Sequence, residues 1–186
     1  MNLLCIMKVM IIPGNGNSDI SGEWFPYLRK ELENLGIKVI AKNMPDPDLA
    51  RKKYWLPFIE KELGGEKESI LVGHSSGAVA ILRYLENHKV KGAILVGAYY
   101  TSLDIEQEKA SGYFDNEWQW EKIKENAEWI VIFASRDDQW IPIEEPRFIR
   151  DKTDAEYHEF KDEGHMGADR KKKDFPEIVQ VIKKHL

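Results

Sequence analysis

The stretch Ser69–Gly77 constrains this chain most. An apolar run, Ile70-Leu71-Val72, stops abruptly at Gly73-His74-Ser75-Ser76-Gly77. Ala78, Ile81, Leu82 and Leu85 follow at i, i+3, i+4 and i+7, one face of a helix that must pack on a sheet. A buried strand thus feeds a helix through a turn of small residues. The turn matches G-x-S-x-G, which carries its serine in a strained conformation at the carboxyl edge of a sheet. Small residues on either side let strand and helix approach closely. The first turn of the helix then offers backbone N–H groups to a developing negative charge.

The same alternation runs along the chain. Lys8–Ile12 is a short continuous apolar run, as expected of a strand buried on both faces. It ends in the loop Pro13-Gly14-Asn15-Gly16-Asn17. Trp24, Leu28, Leu32 and Leu35 recur at helical spacing, and Gly36 is placed to end that helix. Ile37–Ala41 reads as a strand, and the two prolines of Lys42–Pro47 rule out regular structure there. A helix over Leu49–Leu63 ends at Gly64-Gly65, with Pro57 a local irregularity.

Beyond the Ser75 turn, Ala93–Gly97 is the next strand, followed by an irregular region from Ala98 to about Asn116. A helix starting near Glu117 carries Trp118, Trp120 and Ile123. Trp129–Ala134 is a continuous apolar strand, Ile143–Lys152 a charged helix, and Tyr157–Phe160 a weaker strand suited to a sheet edge. Phe175, Ile178, Val179 and Ile182 give the apolar face of a closing helix, with Asp174 and Glu177 as a capping-box-like pair. Trp24 and Trp55 read as helix-face core residues. The pattern predicts an α/β protein: a three-layer α/β/α sandwich on a mostly parallel sheet of about six strands.

Composition narrows the function classes. The chain has 186 residues, 42% hydrophobic and 32% charged, which fits one domain over residues 1–186. Its net charge of −5 gives no footprint for nucleic acid. The basic run Arg170–Lys173 reads as a solvated loop. No apolar run reaches the roughly 18 residues of a membrane span, and Met1–Met7 lacks the basic region and cleavage site of a signal peptide. The one cysteine, Cys5, reads as a core residue and suits a reducing compartment, so a cytoplasmic protein is expected. No His, Cys, Asp and Glu spacing suggests zinc, and neither G-x-G-x-x-G nor a Walker loop is present, so no cofactor is expected.

In open α/β sheets the chemistry lies at the carboxyl ends of the strands. Ser75, Asp138 and His165 each follow such an end, in the chain order of α/β-hydrolases. His165 would deprotonate Ser75 as it attacks, and Asp138 would hold the imidazole tautomer. Ser75 as a mere helix N-cap is the bland alternative. Asp137 competes with Asp138, which is favoured because it stands four residues before Pro142, ahead of the next helix. Among the histidines, His74 is expected to point away from the nucleophile, His88 and His185 end helices, and His158 lies within a strand. The backbone N–H of Ser76, with Asn15 or Gly16 from the first loop, would receive the oxyanion. Trp118, Trp120 and Trp140 are candidates to line an acyl pocket, with packing of a small lid as the alternative.

Several longer stretches carry a resemblance. Pro13-Gly14-Asn15-Gly16, Ala41-Lys42-Asn43-Met44-Pro45-Asp46-Pro47, Trp55-Leu56-Pro57-Phe58, Gly73–Ala78, Ala110-Ser111-Gly112-Tyr113-Phe114 and Trp118–Ile123 resemble the small serine hydrolases named for retinoblastoma-binding protein 9, with the bacterial YdeN-like proteins in the same group. The resemblance runs from about Val9 to the final helix. It implies a compact α/β-hydrolase fold with a minimal lid, and a Ser-Asp-His triad that falls on Ser75, Asp138 and His165. It does not imply retinoblastoma binding: the corresponding stretch, Leu63-Gly64-Gly65-Glu66-Lys67, lacks the L-x-C-x-E motif. The expected activity is hydrolysis of a small-molecule ester, thioester or amide through an acyl-serine. Carboxylesterase chemistry (EC 3.1.1) is the default, and peptidase or amidase chemistry stays open. A non-catalytic binding or scaffold protein on the same fold is the alternative.

Overall fold

The computed structural model describes residues 7–64 and 67–186. Cys5, and Gly65 and Glu66 of the stretch compared with L-x-C-x-E, lie outside the described residues. Among the described residues, six strands form one parallel sheet in the order β2-β1-β3-β4-β5-β6. They are β1 (Lys8–Ile12), β2 (Lys38–Ala41), β3 (Ser69–His74), β4 (Val90–Val96), β5 (Ala127–Ser135) and β6 (Glu156–Phe160). The register pairs Ile12 with Gly73, His74 with Val96, and Ser135 with Phe160, so the carboxyl ends of the strands share one edge. The chain winds outward from β1 to β2, then returns past β1 to β3. The crevice between the loops after β1 and β3 is therefore the topological switch point, where ligands of open α/β sheets bind.

Helices cover both faces, which explains why the strands are continuously apolar. Side chains alternate along each strand. Met10, Ile12, Leu71, Leu95 and Ile132 pack on one face with α2 (Lys52–Leu63), α3 (Ser76–Leu85), α5 (Trp120–Glu125) and α6 (Glu144–Thr153). Val9, Ile11, Ile70, Val72, Ile94 and Phe133 pack on the other with α1 (Phe25–Asn34) and α7 (Pro176–Lys184). Trp24 and Trp55 are fully buried, as their helical spacing requires. Edge strand β6 is only partly buried.

The structure departs from the sequence expectations at several ends. Helix α2 begins at Lys52, because Asp46 holds the preceding turn by accepting from both the backbone and the guanidinium of Arg51. The helix near Glu117 begins at Trp120 instead, since the carbonyls of Asn116 and Glu117 turn aside to accept from Arg83. Leu35 lies past the end of α1 and is exposed. Phe175, not Asp174, stands at the N-cap of α7, and no side chain caps that end. The region after β4 contains a short helix, α4 (Glu106–Ser111), that its polar sequence does not announce. Among the described residues, no helix is long and apolar enough to cross a membrane.

Candidate active site

Ser75 sits between β3 and α3 with φ 55° and ψ −122°, a conformation that only glycine adopts without strain. Two close approaches hold it there. A Cβ on Gly73 would lie 2.6 Å from the Gly77 carbonyl, and one on Gly77 would lie 2.6 Å from the Pro13 carbonyl. Strand, turn and helix therefore interlock only with glycine at both positions. The Ser75 N–H donates to Val96 O on β4, which fixes the turn to the neighbouring strand.

Asp138 and His165 arrive from the loops after β5 and β6. His165 Nδ1 donates to Asp138 Oδ2 at 2.7 Å. A carboxylate only accepts, so Nδ1 carries the hydrogen and Nε2 is left as a base. Asp138 Oδ1 accepts the N–H groups of Trp140 (2.9 Å) and Ile141 (3.0 Å), so the carboxylate cannot rotate away. Among the described residues, no hydrogen bond joins Ser75 Oγ to His165. Both border one cavity of ~750 Å³, together with Asn15, Tyr99, Glu108 and Trp140. In enzymes, the bond between a nucleophilic serine and its histidine base is often open until substrate binds.

The His165 loop is braced from behind by residues whose part the sequence does not reveal. Asp137 Oδ1 accepts from Ser135 Oγ (2.7 Å) and from Gly164 N (2.8 Å), and its other oxygen pairs with Arg170. These bonds, the Ser135 hydroxyl first, hold the Asp137 carboxyl below its ordinary range. Asp169 accepts the His165 N–H at 2.8 Å. Asp137 is thus spoken for, and Asp138 is the acid that meets the imidazole. Gly97, with φ 59°, passes under the ring: a Cβ there would lie 3.1 Å from His165 Cε1.

His74 has a use that its place in the turn conceals. Its Nε2 donates to His165 O at 2.8 Å, and its ring lies 4.7 Å from that of His165. Burial, reinforced by the neighbouring His165, lowers its pKa to about 3. It is a neutral donor that fixes the backbone of the second histidine.

The oxyanion and pocket candidates divide. The Ser76 N–H opens α3, where no intrahelical acceptor exists. Gly14 runs against the Ser75 side chain, so the first loop borders Ser75. Gly16 leaves the donor set, because its N–H is already given to Asp48 O at 3.1 Å. Of the three tryptophans only Trp140 borders the cavity; it is half exposed and meets the His165 ring edge-on at 5.1 Å. Trp118 and Trp120 do not. Trp118 lies under the Arg83 guanidinium at 3.6 Å, donates to Tyr100 O and stacks on Trp120. The two hold together the segment after α4 instead of a pocket. Among the described residues, no group of three or more His, Cys, Asp or Glu is placed to hold a metal ion.

A parallel sheet with a strained serine after β3 and a hydrogen-bonded Asp–His pair beyond it defines the α/β-hydrolase class. A solved α/β-hydrolase from a Medee basin deep-sea metagenome, MGS-M2, superposes with a TM-score of 0.73 at 10% identity, covering 98% of this chain and 89% of its own. The serine hydrolase family model matches residues 9–184, and the chain belongs to that family. Serine hydrolase RBBP9 of Rattus norvegicus is 45% identical over 181 residues, 96% of this chain and 95% of that one. The putative hydrolase YdeN of Bacillus subtilis is 32% identical over 183 residues, 94% of each chain. The crystal structure of the ydeN gene product superposes with a TM-score of 0.89 at 29% identity, covering 96% of this chain and 98% of its own.

Proposed function

We propose that the protein hydrolyses a small ester, thioester or amide through an acyl-Ser75 intermediate, with carboxylic esters as the first substrates to test. The observation that carries this reading is the 2.7 Å Asp138–His165 bond on the cavity that the strained Ser75 also borders. Ser75 Oγ attacks the acyl carbonyl and His165 Nε2 takes its proton. The imidazolium so formed is stabilised by Asp138. The N–H groups of Ser76 and Asn15 receive the oxyanion. His165 then returns the proton to the leaving group, and a water molecule, activated in the same way, frees the acid and restores Ser75. None of these steps calls on a cofactor.

The cavity volume falls in the usual range for small-molecule sites. Trp140 supplies an apolar wall beside His165, which suits a compact acyl or leaving group. A cytoplasmic setting fits the single cysteine. A binding protein on a hydrolase fold is the second reading, and the open Ser75–His165 bond is the observation that favours it. Rapid mixing with p-nitrophenyl acetate separates the two. The catalytic reading expects a burst of nitrophenol stoichiometric with enzyme, or steady turnover, that Ser75→Ala abolishes. Release no faster than in buffer would favour the binding reading.

A further inference from the structure

The two proposed oxyanion donors come from different parts of the chain, the loop after β1 and the first turn of α3. A polar chain, buried at Ser76, Tyr99 and Glu108, connects them through their own side chains. Asn15 Nδ2 donates to Glu108 Oε1 at 2.7 Å. The Tyr99 hydroxyl donates to Glu108 Oε2 at 2.8 Å. Ser76 Oγ lies 2.9 Å from the Tyr99 hydroxyl oxygen. The direction of every bond follows from the carboxylate, which can only accept. The Tyr99 proton is committed to Glu108, so the Ser76 hydroxyl donates to Tyr99.

Tyr99 and Glu108 are both buried, and Glu108 borders the cavity. Its two oxygens are each engaged by a donor of the protein, so it has a structural commitment before any ligand arrives. Burial raises the Glu108 carboxyl above its ordinary range, against the pull of the Tyr99 and Asn15 hydrogen bonds. Burial, then the Glu108 charge, also raises the Tyr99 hydroxyl. A desolvated carboxylate is poor stabilisation compared with an apolar pair of the same shape, and fully satisfied buried networks serve to fix geometry. The helix that carries Glu108 holds the same loop a second time: Gln107 Nε2 donates to Asp48 O, the carbonyl that also takes the Gly16 N–H. This gives the polar helix α4 a purpose.

We propose that Glu108 and Tyr99 are positioning residues that set the separation of the Asn15 and Ser76 N–H groups, and so the stabilisation of the oxyanion; the proposal rests on the acyl-Ser75 reading. Oxyanion donors act on charge that exists only in the tetrahedral state. Loosening their spacing should therefore lower kcat and leave ground-state binding alone.

The test uses Tyr99→Phe, which keeps the ring and removes the hydroxyl, and Glu108→Gln, whose amide nitrogen cannot accept. Each is measured for kcat and KM with p-nitrophenyl acetate, for Ki with a phenylboronic acid that forms a tetrahedral adduct on serine, and for Tm. The expected result is a fall in kcat of about 10–100-fold with KM little changed, and a parallel rise in the boronate Ki. The double variant should lose little more than the worse single one, since the two residues act in one chain. Folded variants with wild-type kcat and Ki overturn the proposal, whatever their Tm. So does a loss confined to KM, which would make Glu108 and Tyr99 substrate contacts. Failure of the underlying reading shows separately, in wild-type enzyme that neither turns over the ester nor binds the boronate.

Discussion

Asp138 and His165 meet side chain to side chain, Oδ2 to Nδ1 at 2.7 Å, from loops that follow the adjacent strands β5 and β6. The remaining Asp138 oxygen is held by the N–H groups of Trp140 and Ile141. The carboxylate therefore dictates which imidazole nitrogen faces the cavity. Asp138→Asn keeps the shape but can present an N–H to Nδ1, which leaves the base on the wrong nitrogen. We expect kcat/KM to fall by about 10³–10⁴ while Tm stays near wild type. An Asn variant with more than a tenth of wild-type activity would contradict this role.

His74 supplies a pH prediction. Its folded-state pKa of about 3 lies below the unfolded value of 6.5. Between these values the unfolded chain binds the extra proton, so stability falls as pH drops through that window. Urea unfolding from pH 7 to pH 4 should show this decline, and His74→Gln, which retains an N–H donor, should show a shallower one. Equal slopes would remove His74 as the source. Because His74 stays neutral above pH 5, the acid limb of kcat/KM should follow a single ionisation. A two-proton limb would mean that His74 does not stay neutral.

The Ser75 turn should trade stability for reactivity. Ser75→Gly relieves a backbone conformation that costs on the order of 1–3 kcal/mol in a residue with a Cβ. Ser75→Ala retains the strain. Both should be inactive, and the glycine variant should melt above the alanine one, since the relief exceeds the added chain entropy of about 0.4–1 kcal/mol. The reverse order of Tm would show that the turn is not strained.

Gly77 should resist any side chain. A Cβ there overlaps the backbone carbonyls of Ile12 and Pro13, which are held in the sheet and its first loop. Gly77→Ala should lose about 3 kcal/mol or more, read from urea unfolding. A loss below about 1 kcal/mol would mean that the α3 approach is loose.

The tryptophans separate pocket from scaffold. Trp140→Ala should alter relative kcat/KM along a series of p-nitrophenyl acyl esters and barely change Tm. Trp118→Ala should lose about 2 kcal/mol or more of stability, through its packing and the Arg83 stack, with the ester series unchanged in order. Swapped behaviour would return Trp118 to the pocket.

Much of this arrangement was legible in the residues themselves. Continuous apolar runs identify strands buried on both sides, and Gly73-His74-Ser75-Ser76-Gly77 identifies the turn because its close contacts are local. The strand ends lead to His165 and to the neighbouring Asp137 and Asp138, between which the spacing to Pro142 favours Asp138. Residues that work through distant partners leave no such mark. Asn15 and Glu108 are 93 positions apart, and nothing in the spacing around Glu108 joins it to the first loop. His74 braces a carbonyl 91 positions away. Gly16 matches the composition of an oxyanion loop, yet its N–H is taken by Asp48, a pairing visible only in the folded chain. Trp118 misleads for the same reason: its partner is Arg83, from a helix on the far side of β4 in sequence.

The most direct test of the account is covalent. A fluorophosphonate reacts with an activated serine and leaves a stable phosphonylated adduct. Wild-type protein should gain one adduct by intact mass, mapped to the peptide that holds Ser75, and Ser75→Ala should gain none. Unlabelled wild-type protein, or a Ser75→Ala variant labelled to the same extent, would contradict the assignment of Ser75 as the nucleophile.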